Sequence, residues 1–423
     1  MKKLLCMITV VLLVLTSFVG CSDNTDKDSI VLTFWAHQNT AWNNSYKDVI
    51  KKFEDANPGI KIKLETFPYD QFESKVQTSL LTGEGGADIY ELWGGWAIDF
   101  APNGALLALP DDLASEIIND TYGPTVGALL HEGKLYALPL EFNIESGGML
   151  INNKLFKDAG ISVPTTWDEM VQAGKTLTQM DGELFAVKGF DFVNWDSVPY
   201  TLTSMILSQG GNYLKSDGTI DFNTPEAKKA FTELARLVTD VKVTNLEGLT
   251  GGGELEGYQL LYANKAGIVP RGPWAISEGI EEFDLKFKEE FDYVEMPWFG
   301  TQKKFASETG WSIAVNAKTT QQEAAEKFMN FFYQDDILLQ HNINCTQIPA
   351  KKSVAHDENL TEAMPYLSVL IANLENAQFI GYFNTDQFKE TVNNVFVDYC
   401  MGLYPNVDEA LKDLTTKLNA IVK

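Results

Sequence analysis

Residues 135–170, LYALPLEFNIESGGMLINNKLFKDAGISVPTTWDEM, decide how the chain is organised. The apolar run 136–138 is stopped or pushed to a sheet edge by Pro139, which has no N–H to give a ladder. Glu141, Asn143 and Glu145 then alternate with apolar residues, Gly147 and Gly148 loosen the backbone, and residues 149–151 resume a strand. Residues 153–159 read as a short helix closed by Gly160, the residue type that best tolerates the left-handed turn after a helix. Thr166-Trp167-Asp168-Glu169 is a capping box that opens the next helix. Two strands with a polar, carboxylate-bearing bridge between them therefore lead into a new set of helices. That is how a chain leaves one domain and enters another.

Upstream, residues 30–36 (IVLTFWA) read as a strand, and Asn43 or Asn44 caps a helix running to about Ala56. Residues 60–67 form a second strand, 72–81 a helix and 88–92 a third strand. This alternation predicts a mixed or parallel α/β sheet with its ligand near the strand carboxyl ends. Trp93-Gly94-Gly95-Trp96 follows at once, where such a sheet places a binding loop. Downstream, helices are expected over 167–180, 197–209 and 225–241, the last capped by Thr224 with Pro225 as its first residue. Residues 266–269, 292–296 and 311–316 read as strands, and 320–333 as a helix with a capping box from Thr320 to Glu323. Helices near 362–376, 385–401 and 407–422 close the chain. The pattern implies crossings near 138–143, 293–298 and 347–351. The expectation is two discontinuous α/β domains, 30–139 with 298–346 and 143–294 with 350–423, joined by a multi-crossing hinge.

A chain of 423 residues is too long for one core. Its hydrophobic fraction of 45% is that of a globular protein, not a disordered one. The formal charge of −25 repels nucleic acid and anionic headgroups, which excludes a nucleic-acid partner. Residues 1–20 have the charged start (Lys2, Lys3), apolar core and small-residue end of a signal peptide, and 21–29 a polar composition suited to a flexible tether. Beyond these, no apolar run reaches the ~18 residues a membrane span needs. Of the four cysteines, Cys345 and Cys400 remain after Cys6 and Cys21. They could pair, but two separate buried thiols are the preferred reading. The four histidines show no metal-ligand spacing, so neither metal nor cofactor is expected.

YALP, then a leucine-isoleucine strand, NK-LF--AGI, a proline and TWDE resemble the family 1 extracellular solute-binding proteins, the sugar-capturing components of ABC importers. The resemblance resumes at 267–276 (GIVPRGPWAI), at 310–332 and at 406–416 (NVDEALKDLTT), in order along the chain. It implies a periplasmic-binding-protein-like fold of type II. It also implies a carbohydrate ligand, permease subunits as partners, a monomer and no catalytic residues. Cys21 directly after the apolar run resembles a lipobox, whose cysteine is lipidated. The implied location is the outer face of the cytoplasmic membrane, or the periplasmic side in a Gram-negative cell.

A sugar ring needs flat aromatic surfaces for its C–H face and acids, amides or Arg for its hydroxyl rim. Nine tryptophans make such surfaces available. By the resemblance, Trp274 after Arg271-Gly272-Pro273 supplies the second-domain stacking ring, and Trp93 or Trp96 the first-domain aromatic. Glu141 falls where the crossing strand supplies a hydroxyl-binding carboxylate, although Phe142-Asn143 departs from the maltose-binding pattern. Asn194-Trp195-Asp196 resembles the second-domain turn that contributes an acid and an aromatic, and Tyr382 and Phe383 match less closely. His37 and Gln38, after the first strand, are candidates for a polar rim. Trp167, inside a capping box, reads as structural.

Two other classes compete. A secreted glycoside hydrolase would also have a tryptophan-lined cleft, with two carboxylates flanking the scissile bond. The family motifs carry no catalytic pair, and Glu145-Ser146-Gly147-Gly148 lacks the flanking glycines of a nucleophile elbow. A polyamine or other cation receptor would exploit the acidity but explains the tryptophans less well.

Overall fold

The computed structural model describes residues 29–82, 86–193, 196–251 and 255–421. The leader with Cys21, the tether up to residue 28, and Trp195 lie outside the described residues.

Two five-stranded sheets organise the chain. The first runs Ile60–Phe67, Ile30–His37, Ile89–Trp93, Trp311–Val315, Leu138–Pro139 from edge to edge. Its first three strands are parallel, and Trp311–Val315 lies antiparallel to Ile89–Trp93. A late segment is thus inserted into a sheet begun at the amino terminus. Pro139 ends the edge strand, where a missing N–H costs no ladder bond. The second sheet runs Phe291–Glu295, Gly148–Asn152, Ala266–Pro270, Leu184–Phe190, Gln179–Asp181. Each sheet has its own buried core, one around Phe34, Tyr46, Phe53 and Phe328, the other around Phe190, Tyr200, Phe231 and Phe396. A third cluster, with Tyr122, Phe142, Tyr293, Ile348 and Leu367, lies along the connections between them. The architecture is mixed α/β in two discontinuous units.

Caps fall where short-range chemistry dictates them. Thr166 and Glu169 form the reciprocal capping box, and Gly160 closes Asn153–Ala159 at φ 66°. Four elements differ from expectation. The first helix is Thr40–Ala56, because Asn39 rather than Asn43 accepts from the Trp42 N–H at 3.2 Å. The helix from Trp167 stops at Leu177, since Gln179–Asp181 turns back to pair with Leu184–Phe190. The helix Gln322–Phe332 has no side-chain cap, so the box from Thr320 does not form. Pro365 breaks the expected helix 362–376 into Glu358–Ala363, a 3₁₀ turn Pro365–Leu367, and shorter pieces.

The connections run side by side. The Leu140 N–H donates to Trp311 O at 3.0 Å and the Phe142 N–H to Ile348 O at 2.7 Å, with Glu141 opposite Pro349. After the second sheet the chain does not return at residue 298. Phe299 packs on Trp167 with ring centroids 5.2 Å apart, and Phe305–Ser307 pairs with Ala377–Phe379. Glu308, Thr309 and Gly310 then lead into Trp311 and the first sheet.

Candidate functional site

The strand Ile89–Trp93 ends at Trp93, and the next residues are helix Gly94–Phe100 rather than the expected loop. The glycines permit close approach. A Cβ on Gly94 would sit 2.3 Å from Thr309 O, and one on Gly95 would sit 1.9 Å from the Trp93 ring. Trp93 and Trp96 are each 4% exposed. Trp93 Nε1 donates to Glu308 at 3.0 Å with Lys389 Nζ 4.1 Å over its ring, and Trp96 Nε1 donates to Asp386 at 3.3 Å.

Beside them stands an aromatic wall. Trp311 stacks on His37 at 4.5 Å and meets Trp96 and Tyr69 edge-on at 5.6 and 6.2 Å. His37 is buried, its Nδ1 2.7 Å from a Glu91 carboxylate oxygen that also accepts its backbone N–H at 2.8 Å. The ring therefore shapes the wall, and its polar edge is already engaged. Gln38 is exposed, and its backbone N–H donates to Phe67 O at 2.7 Å.

The second unit contributes fixed charges. Asp196 precedes helix Ser197–Ser208 and accepts from Arg271 Nη1 at 2.5 Å and Lys389 Nζ at 2.9 Å. Burial opposes its ionisation most strongly, but these two cations outweigh it and hold the carboxyl below the usual Asp range. The Arg271 guanidinium lies 4.3 Å over the Trp274 ring. Trp274 is half-buried and donates from Nε1 to Glu145 Oε1 at 2.9 Å, while Glu145 Oε2 accepts the Gly272 N–H at 3.2 Å.

The connections form the floor. Glu141 accepts the Trp311 N–H on Oε1 at 2.9 Å, its Oε2 has no protein partner, and burial raises its pKa well above the ordinary carboxyl value. Asn143 Nδ2 donates to Glu308 Oε1 at 2.6 Å, leaving Asn143 Oδ1 unpartnered. Glu308 also accepts from Tyr200 OH and from Asn384 Nδ2 at 2.9 Å. Burial pushes its pKa up to about 7 against the pull of Lys389.

Trp93, Trp96, Glu141, Asn143, Asp196, Arg271, Trp274 and His37 are thus linked by one chain of contacts where the two units meet. Phe383 is not. It is 3% exposed between Tyr213 and Phe388 in the second core and has no face to offer a ligand. Tyr382 is 57% exposed and leans on Phe379. Glu145, Glu308, Lys389, Tyr200, Asn384 and Trp311 escaped the sequence reading. Glu145 had a signal, the alternation with Glu141 and Asn143. The others are single residues whose partners lie far away in sequence. Cys345 and Cys400 are both free, the first buried and the second only partly so.

Two α/β units that share their connections and meet across aromatic and charged side chains define a type II two-lobed binding protein. The chain belongs to the bacterial extracellular solute-binding proteins, whose family model matches residues 38–337. It is 23% identical over 388 residues to the multiple sugar-binding protein of Streptococcus mutans, 89% of either chain. Maltose-bound T. maritima MalE3 has the same fold, with a TM-score of 0.76 and 22% identity over 92% of this chain and 99% of that one. An ABC substrate-binding protein from Listeria monocytogenes in complex with cycloalternan gives a TM-score of 0.74 and 22% identity over 93% and 99%.

Proposed function

We propose that the chain captures a neutral carbohydrate between its two units and delivers it to the permease of an ABC importer. The observation that carries this reading is a set of unsatisfied polar atoms on the connections and on Arg271, whose guanidinium lies over Trp274. Glu141 Oε2 and Asn143 Oδ1 are buried oxygens without a protein partner, the first on a carboxyl whose protonation burial favours, and Arg271 Nε is a buried donor without one. A hydroxyl both donates and accepts, so a sugar rim matches such a mixed set while its C–H face lies on an indole. Asp196 already engages Arg271 and Lys389, which favours a neutral ligand over an acidic one. Relatives named for sugars and sugar-bound neighbours of the same fold support the ligand class.

Calorimetry against a panel of neutral mono- and oligosaccharides should find a ligand near micromolar affinity, roughly −8 kcal/mol. Binding only to amino acids, metals or polyamines would overturn the ligand class. The same sugars recovered uncut after incubation separate a receptor from a glycoside hydrolase. Attachment by a lipid on Cys21, as a monomer at the outer face of the membrane, completes the proposal. Two acyl chains hold firmly where one is marginal. Cys21→Ala should move the protein from the membrane fraction to the soluble one, and a variant still membrane-bound would exclude that anchor.

A further inference from the structure

Helix Asp335–Cys345 of the first unit ends at Thr346, whose φ of 52° and ψ of 39° put it in the left-handed region. The turn closes as many helix ends do, with the Gln347 N–H donating back to Asn342 O at 2.9 Å, but glycine or asparagine usually makes it. Of the six described residues other than glycine with a positive φ, Thr346 alone is β-branched, the side-chain type that fits this backbone worst. A strained residue persists where its surroundings hold it, and here the hydroxyl is held. Thr346 Oγ1 donates to Pro273 O at 3.0 Å and accepts the Ser277 N–H at 3.3 Å. Those two groups flank Trp274, in the turn after strand Ala266–Pro270 of the second unit. The helix that follows, Ala275–Glu281, meets the first unit again just past its far end, where Thr40 Oγ1 donates to Glu282 Oε1 at 3.3 Å. Thr346 is only half-buried, so packing does not account for the choice of residue.

We propose that Thr346 is a positioning residue, whose hydroxyl fastens the Trp274 turn to the end of a first-unit helix and so sets the indole where a ligand between the units meets it. The inference rests on the reading of Trp274 as a sugar-stacking ring. A hydroxyl donates and accepts at once, which is what a carbonyl on one side of Trp274 and an N–H on the other require. Glycine would make the same helix end without strain but has no group to hold the turn. Residues 347–351 follow directly as a connection between the units, with Ile348 O accepting the Phe142 N–H at 2.7 Å. The turn that carries the ring is therefore tied to one connection through Thr346. Its bond from Trp274 Nε1 to Glu145, 2.9 Å long, ties it to another.

Thr346→Gly separates positioning from strain, because it relieves the backbone and removes the hydroxyl together. Amide hydrogen exchange of residues 274–277 in the sugar-free protein should quicken roughly threefold or more, the weight of one ordinary hydrogen bond, with the change confined to that turn. Thr346→Ser keeps the hydroxyl and should restore the wild-type rate. Thr346→Ala also lacks the hydroxyl and serves if the glycine variant fails to fold, which circular dichroism checks. Calorimetry then uses the same panel of neutral mono- and oligosaccharides as above. Any panel sugar that the wild type binds should bind the glycine variant about three- to tenfold more weakly, with affinity recovered in the serine variant. Wild-type exchange or wild-type affinity in a folded variant without the hydroxyl overturns the proposal. So does exchange that quickens throughout the molecule, or a serine variant that behaves like the glycine one. If the wild type binds no sugar of the panel, the carbohydrate reading fails, and the exchange rates alone decide the role of Thr346.

Discussion

Replacing Asp196 by Asn would leave Arg271 and Lys389 buried without the carboxylate they share. Removing one partner from a buried ion cluster costs about 3–5 kcal/mol. The folded-state pKa of Asp196 is depressed. Its contribution is therefore present above the unfolded value of about 3.9 and is lost as pH falls through the folded one. Urea unfolding should show Asp196→Asn well below wild type at neutral pH and closer to it in strong acid. A constant gap at every pH would contradict the assignment. Two tryptophans separate binding from stability in the same way. Trp274→Ala should cost about 2 kcal/mol or more of sugar affinity, since the ring also positions Glu145 and Arg271. Trp167, 6% exposed against Phe299, belongs to a core. Trp167→Ala should lower stability by about 3–5 kcal/mol and leave affinity nearly intact. Equal affinities for wild type and Trp274→Ala would refute its role.

Among the elements, helix Gly94–Phe100 depends on its missing side chains. Gly95→Ala would drive a methyl group into the Trp93 ring, which Lys389 and Glu308 also hold in place. Overpacking of this kind costs about 1–3 kcal/mol. It should also shift tryptophan emission as Trp93 moves. An unchanged denaturation midpoint would mean the ring has room. Caps were legible where one polar residue borders an apolar run, as at Thr166 and Thr224. At the first helix, Asn39, Asn43 and Asn44 could each serve. The choice fell to packing, because Asn43 and its neighbour Trp42 are drawn into the buried face. The loop expected at Trp93 failed for a related reason. Paired glycines signal flexibility in isolation and close contact inside a core.

At the scale of the whole molecule, two units in contact through Trp93, Trp96, Asp386 and Lys389 require a hinge to admit a ligand. The ligand then shifts the population by its differential affinity for the shut form. A saturating sugar should reduce the radius of gyration of the open fraction. It should also add about 2.7 kcal/mol of stability at a hundred times its Kd. Stabilisation without any change in scattering would favour a rigid groove.

The mixed α/β alternation of strands and helices and many of the helix caps could be read from sequence alone. They rest on apolar periodicity and on hydrogen bonds spanning a single turn, and both are written within a few neighbouring residues. The pairing of charges was decided only by the tertiary structure. Trp96 and Asp386 are 290 positions apart, and the donors to Glu308 lie between 76 and 215 positions from it. A carboxylate on a surface and one in a sealed cleft look alike in sequence. Burial and the nearest opposite charge set them apart, and both arise only when the two units dock.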